Sequence, residues 1–244
     1  MYKSKSIIGI IPARSGSKGL PHKNIRLFAG RPLLAWTILA AQKSSIVDEV
    51  FVSTDDARYA ETAAQYGANV PFLRPPELSG DKCAAAEYLV HAISEYRDRL
   101  RRAFDYFVLL QPTNPLRTPE HIADGIRMAI DENLPSVVSF SLFKGDLRLI
   151  YKLPEDNALS ALQSPISHSR AASPNDVLRQ DAERVYKVNG LLYVAECDAY
   201  IKSRSFYMPG GKAMITDGAY DVDIDDEAGF LYAEYLAKRS GSFG

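Results

Sequence analysis

Apolar and polar positions follow two rhythms along the chain. Residues 6–11, 49–54, 106–110 and 136–141 are short apolar runs of the length and composition of strands buried on both faces. Between them, residues 32–43, 56–66, 82–103 and 118–132 carry apolar positions at helical spacing, with Pro32 at one start and Gly67 just past one end. Strands alternating with helices at this interval predict βαβ units and a mostly parallel sheet flanked by helices, an α/β fold. The rhythm breaks over residues 143–184, where Pro154, Pro165 and Pro174 punctuate scattered Ser and Asn. That stretch reads as an insertion or arm within one domain spanning 1–244. Strand character returns at 185–195, and an amphipathic helix over 228–238 follows.

Composition adds limits to this outline. At 244 residues, 46% hydrophobic and 24% charged, the chain has the balance of a globular domain with a core of ordinary size. The two cysteines, Cys83 and Cys197, are far apart and form no CxxC or Cys/His cluster, which argues against a thiolate zinc site or a disulfide framework and for a reducing cytoplasm. Lys3 and Lys5 precede an apolar run too short for a signal-peptide core, and no run reaches the roughly 18 apolar residues that span a bilayer. A cytoplasmic protein with no membrane partner is the expectation.

Net charge is only −1, yet residues 1–47 hold eight Lys or Arg and no acid, whereas 213–237 hold seven acids and no Lys or Arg. Such polarity suggests one pole that faces a polyanion and one that faces cations, not bulk nucleic-acid affinity.

Three chemically loaded segments leave predicted strands on one side. In a parallel sheet, ligands gather beyond the carboxyl ends of the strands. "IIPARSGSKGLPHKN" follows the first strand, "STDD" the second and "QPTNPLR" the third. In the first, Arg14, Lys18 and Lys23 carry charge, Gly16 and Gly19 permit close backbone approach, and Ser15 and Ser17 add donors, a set that suits a triphosphate. The spacing matches neither GxxxxGK[ST] nor GxGxxG, so a dinucleotide-binding dehydrogenase is disfavoured, and a solvated basic turn is the alternative. "QPTNPLR" offers amide, hydroxyl and guanidinium groups between prolines for reading a base or ribose, or simply a connection in which Thr118 caps the next helix. In "YDVDIDDE", Asp221, Asp223 and Asp225 alternate with Val222 and Ile224, so a strand there would array three carboxylates on one face. Oxygen ligands of this kind favour Mg2+. A solvated edge strand whose last acids charge the next helix N-terminus is the alternative. His22, His91, His121 and His168 have no metal-ligand spacing.

Taken in order, "IIPARSGSKGLPHKN", "STDD", "RPPELSGD", "QPTNPLR", "RQD", "VYKVNGLLYV" and "DVDIDDE" resemble the CMP-sialic acid synthetase (acylneuraminate cytidylyltransferase) family over nearly the whole chain. The resemblance implies a Rossmann-like nucleotide-diphospho-sugar transferase fold with an extended dimerisation arm. It implies that CTP and a nonulosonic acid become a CMP-sugar and pyrophosphate, assisted by Mg2+ or Mn2+, in a homodimer with shared active sites. By position, Arg14, Ser17, Lys18, Lys23 and Asn24 match the triphosphate loop, Arg74 and Gln111 match nucleotide and sugar contacts, and Asp223 and Asp225 match the paired metal carboxylates. Arg179, Tyr193, Phe206 and Tyr207 match sugar-pocket positions, and Arg179 would reach into the partner's site.

The chain also departs from the family pattern. It reads "DIDDEAGF" where relatives carry "DIDTELDF", which places Gly229 where they have an acid. Ala84 and Ala85 stand where Thr and Ser are common, and supply no hydroxyl near the base or ribose. Arg148 and Lys152 both stand as candidates for the arm cation. Neuraminic, legionaminic and pseudaminic acids are equally open as substrates. The rivals are a cytidylyltransferase for another sugar acid such as 3-deoxy-octulosonate, and a non-catalytic nucleotide-sensing module, which would bind CTP without releasing pyrophosphate.

Overall fold

The computed structural model of the chain describes residues 1–145, 155 and 184–240. It divides into two units, Met1–Ser141 with Val188–Gly244, and Leu142–Lys187. The expected arm lies largely outside the described residues, as do Arg148, Lys152 and Arg179. In the smaller unit the Phe143 amide donates to the Val185 carbonyl at 2.9 Å.

The larger unit is built on a six-stranded sheet in the order β4-β1-β5-β7-β6-β8. Its strands are β1 (Ile7–Pro12), β4 (Glu49–Ser53), β5 (Tyr106–Leu109), β6 (Ser136–Leu142), β7 (Tyr186–Glu196) and β8 (Lys212–Thr216). β1 pairs in parallel with β4 and β5, β6 pairs in parallel with β8, and β7 runs antiparallel to β5. A two-stranded antiparallel hairpin, β2 (Leu27–Phe28) and β3 (Arg31–Pro32), leads into α1 (Leu33–Lys43). The remaining helices are α2 (Ala57–Gln65), α3 (Ala85–Ser94), α4 (Pro119–Asp131), α5 (Cys197–Ser203) and α6 (Glu227–Ser240).

The unbroken apolar runs have a direct physical reading. On β1, Ile7 and Ile11 enter one core with residues of α1, α2 and α4, while Ile8 and Ile10 enter another with α3 and α5. Successive strand residues point to opposite faces, so a strand covered on both sides needs an apolar residue at every position. A third cluster joins Phe28, Leu33, Val222 and Ile224 to Phe230 and Ala233 of α6. Helix starts follow their capping residues: the Asp56 side chain accepts from the Arg58 amide at 2.8 Å, and Thr118 Oγ1 accepts from the His121 amide at 3.3 Å.

Two expected elements differ from the pattern. The helix expected over 82–103 is shorter: α3 ends at Ser94 and continues as a single π turn, Glu95–Arg99. The wider turn lets Tyr96, 1% exposed, donate its hydroxyl to the buried Glu49 carboxylate at 3.0 Å, and Arg101 then takes a left-handed φ of 55°. The acidic segment 221–226 forms no strand and joins no ladder. Its alternation survives, because Val222 and Ile224 are buried while Asp223 and Asp225 are exposed, and the Ile224 amide finds its acceptor in the Thr113 carbonyl at 2.9 Å.

Candidate active site

The first loop is fixed to the carboxyl ends of β1 and β4. The Ala13 amide donates to the Ser53 carbonyl at 2.9 Å, and Asp55 accepts from both the amide and the hydroxyl of Ser15, each at 2.8 Å. Asn24, 4% exposed, donates its side-chain amide to the Arg14 carbonyl at 3.2 Å and ties the far end of the loop to its beginning. Both ends of the loop are pinned, and the basic tips are left between them.

Those tips point at a carboxylate that sequence reasoning did not single out. Asp81 accepts from Arg14 Nη1 at 2.7 Å and pairs with Lys18 Nζ at 2.5 Å. The two bases hold its pKa below the ordinary carboxylate value, Lys18 most strongly. Lys23 turns the other way. Its Nζ donates to the Ile224 carbonyl at 2.7 Å and lies 3.4 Å from Asp225 Oδ1, which joins the basic loop to the acidic segment. Gly19 makes the same junction by backbone approach: a Cβ placed there would lie 2.3 Å from the Asp225 carbonyl oxygen.

Arg74 is 4% exposed and has no carboxylate partner among the described residues. Its Nε donates to Ser53 Oγ at 3.0 Å and its Nη2 to the Ser53 carbonyl at 2.8 Å, while its guanidinium carbon lies 4.3 Å from the Tyr88 ring centre. Burial lowers its pKa. A desolvated guanidinium with donors to spare favours an anionic or carbonyl-rich ligand.

The third loop is braced from behind. Arg117 supplies the guanidinium of "QPTNPLR", but that group is 4% exposed and serves the backbone: Nη2 donates to the Gln111 carbonyl at 2.9 Å, Nε to the Leu191 carbonyl, and Nη1 to Thr37 Oγ1 at 3.3 Å. Burial depresses its pKa well below the usual arginine range, against the opposing pull of Asp223. Opposite, Gly190 has a left-handed φ of 71°, and a Cβ there would stand 3.2 Å from Gln111 Oε1.

These segments enclose a cavity of about 500 Å3 lined by Arg14, Ser17, Lys18, Lys23, Asn24, Arg74, Gln111 and Asp225, together with Asp81 and Tyr88. The structure thus brings eight of the sequence-derived positions to one place. Asp223 is exposed and stands outside this lining, within electrostatic reach of Arg117 and Tyr193. Tyr193 and Phe206 pack at 5.0 Å between ring centres beside Tyr200, and Tyr207 is 68% exposed. None of these three sugar-pocket candidates lines the cavity. Asp81 and Tyr88 were missed because each is one residue of an ordinary-looking stretch, although Asp81 closes the quoted "RPPELSGD".

The fold is shared with solved structures. The structure titled CMP:2-keto-3-deoxy-manno-octonic acid synthetase complexed with CTP superposes with a TM-score of 0.69 over 96% of this chain and 99% of that one, at 18% identity. The N-acylneuraminate cytidylyltransferase of Escherichia coli O18:K1:H7 is 36% identical over 234 residues, 96% of this chain. This chain spans only about half of that protein, 52% of its length. The CMP-N,N'-diacetyllegionaminic acid synthase of Legionella pneumophila is 35% identical over 237 residues, 94% of this chain and 95% of that protein. The family profile described as Cytidylyltransferase matches residues 8–207, from the first strand to Tyr207, and the chain belongs to that family.

Proposed function

We propose that this chain transfers the cytidylyl group of CTP to a nonulosonic acid of the neuraminic, legionaminic or pseudaminic type and releases pyrophosphate. The observation that carries the reading is the shared cavity, where a pinned basic loop, a buried arginine with no carboxylate partner among the described residues, Gln111 and an acidic segment converge at the carboxyl edge of β1, β4 and β5. The relatives named above support the substrate class, and a similar fold is seen in a structure complexed with CTP.

In this reading the sugar's anomeric oxygen attacks the α-phosphorus, the bond to the bridging oxygen of pyrophosphate breaks, and the hydroxyl proton leaves to solvent. Arg14 and Lys18 exchange Asp81 for the triphosphate and stabilise charge as it shifts toward pyrophosphate. Lys23 and Gly19 keep the acidic segment in register with the loop. Gln111, fixed through Arg117, orients the reacting groups, so positioning supplies much of the rate. The carboxylates fit a hard divalent cation: Asp225 lines the cavity, and Asp223 is also exposed to solvent. Asp223 and Asp225 would hold Mg2+ or Mn2+, which typically binds through one or two carboxylates plus substrate phosphates and neutralises phosphate charge. Tyr193, Phe206, Tyr207 and Arg179 are assigned to the sugar, with Arg179 gripping its carboxylate in a homodimer.

A cytoplasmic setting is part of the proposal, supported by Cys83 and Cys197 as free thiols. No nucleic-acid or membrane partner is assigned, and among the described residues no helix is long and apolar enough to cross a membrane. The fold likeness to the octonic acid synthetase keeps the 3-deoxy-octulosonate type as the second reading. Pyrophosphate release from CTP, measured with each of the four sugar acids, tests both. Turnover with a nonulosonic acid supports the first, turnover only with the octulosonate supports the second, and CTP binding with no release for any acid leaves a nucleotide sensor.

A further inference from the structure

Tyr88 has no part in the roles assigned so far, and its surroundings give it one. It is the one residue of α3 in the lining of the nucleotide cavity. It lies three residues beyond Ala85, so those two side chains share one side of the helix, and neither Ala85 nor the N-cap residue Ala84 has a side-chain donor or acceptor. The Tyr88 ring is clamped by the Arg74 guanidinium at 4.3 Å, and Arg74 is itself fixed by two hydrogen bonds to Ser53. Among the described residues its hydroxyl makes no hydrogen bond. Burial raises its pKa to about 12, so at neutral pH it is a neutral phenol able both to donate and to accept.

The charged groups of the cavity divide the ligand's halves. Arg14 and Lys18 on the first loop supply the cations a triphosphate needs. On the α3 wall the polar group is an uncharged hydroxyl on a rigid ring, which suits a nucleoside. We propose that Tyr88 is a specificity-determining residue whose hydroxyl hydrogen-bonds the nucleoside half of the nucleotide, while its ring, held by Arg74, forms the wall against which that half rests. This assignment rests on the reading of the cavity as a CTP site.

The test is calorimetric titration of the full chain and of Tyr88→Phe, with CTP, 2'-deoxy-CTP and inorganic tripolyphosphate as probes. The phenylalanine keeps the ring and its contact with Arg74 and removes only the hydroxyl. CTP is expected to bind about tenfold more weakly to the variant, the loss typical of one hydrogen bond. Tripolyphosphate, which has no nucleoside, is expected to bind both proteins alike. Turnover of the variant should show a raised KM for CTP at unchanged kcat. If the loss is the same for CTP and 2'-deoxy-CTP, the hydroxyl meets the base; if it disappears with 2'-deoxy-CTP, it meets the ribose; both results support the proposal. CTP affinity within twofold of the parent overturns it, and an equal loss for tripolyphosphate overturns it in favour of a structural role. A parent chain that binds tripolyphosphate but not CTP overturns the nucleotide reading together with this one, whereas CTP binding without turnover removes the transferase reading and leaves this one intact.

Discussion

Gly19→Ala isolates the junction between the basic loop and the acidic segment. The added methyl would lie 2.3 Å from the Asp225 carbonyl oxygen, whereas ordinary contact begins near 3.4 Å, so the two backbones must separate by about 1 Å. Lys23 Nζ now sits 2.7 Å from the Ile224 carbonyl, and a shift of that size takes the pair out of hydrogen-bonding range. The lost bond costs about 1 kcal/mol and the overpacking about 1–3 kcal/mol. At about 2–4 °C per kcal/mol for a chain of this size, Tm should fall by about 4–16 °C. Activity should suffer more than stability, because a displacement of about 1 Å at a reacting centre costs on the order of 100-fold. Gly16→Ala is the control, since its methyl meets nothing nearer than Arg14 Nη1 at 3.9 Å. Both variants would be compared by thermal melting and by kcat/KM for pyrophosphate release. Equal losses for Gly16→Ala and Gly19→Ala would show that the loop needs flexibility and would refute the close-approach reasoning, as would a Gly19→Ala protein with parental activity and Tm.

Three other outcomes are expected. Asp81→Asn removes the internal counterion of Arg14 and Lys18, so metal-free pyrophosphate should bind several-fold more tightly by calorimetry; weaker binding would contradict the displacement step. Arg117→Met strips the part-buried carbonyl of Gln111 and the buried carbonyl of Leu191 of a donor, at about 1 kcal/mol or more each, and Tm should drop by at least about 4 °C, with kcat falling as Gln111 loses its brace. Asp56→Ala removes the α2 cap for about 1 kcal/mol, or about 2–4 °C in Tm at pH 7. The hydrogen bond from Arg58, opposed by desolvation, lowers the Asp56 pKa in the folded state, so its stabilisation is full above the unfolded value near 4 and disappears as pH falls through the folded one. The Tm gap between parent and variant should therefore close in acid.

The layered fold could be read from the sequence because β1, β4 and β5 are buried on both faces and are apolar through their interiors, with the buried polar residues Glu49 and Ser53 at the two ends of β4. The short β8 and α5 lack that signal: β8 is half exposed, with Lys212 and Ala213 facing solvent, and α5 has seven residues. The acidic segment shows a limit of periodicity, since Val222 and Ile224 alternate like a strand while a single amide, bonded to Thr113, anchors the segment to a loop. Charge and loop position located Arg14, Lys18 and Asp225. They did not distinguish a ligand-facing guanidinium from a bracing one, because Arg74 and Arg117 differ only in what their buried donors meet. Asp81 is recognisable only once the loop is folded back upon it. Tyr88 reads as one more core aromatic until Arg74 is laid across its ring.

On the proposed reading, the cavity between the basic loop, Arg74 and the acidic segment is a CTP site. A crystal structure of the chain grown with CTP tests it most directly. The triphosphate should lie against Arg14 and Lys18 in the place of Asp81, with the nucleoside on the Arg74 and Tyr88 wall. Nucleotide density elsewhere, with the Arg14, Lys18 and Asp81 contacts intact, would contradict it.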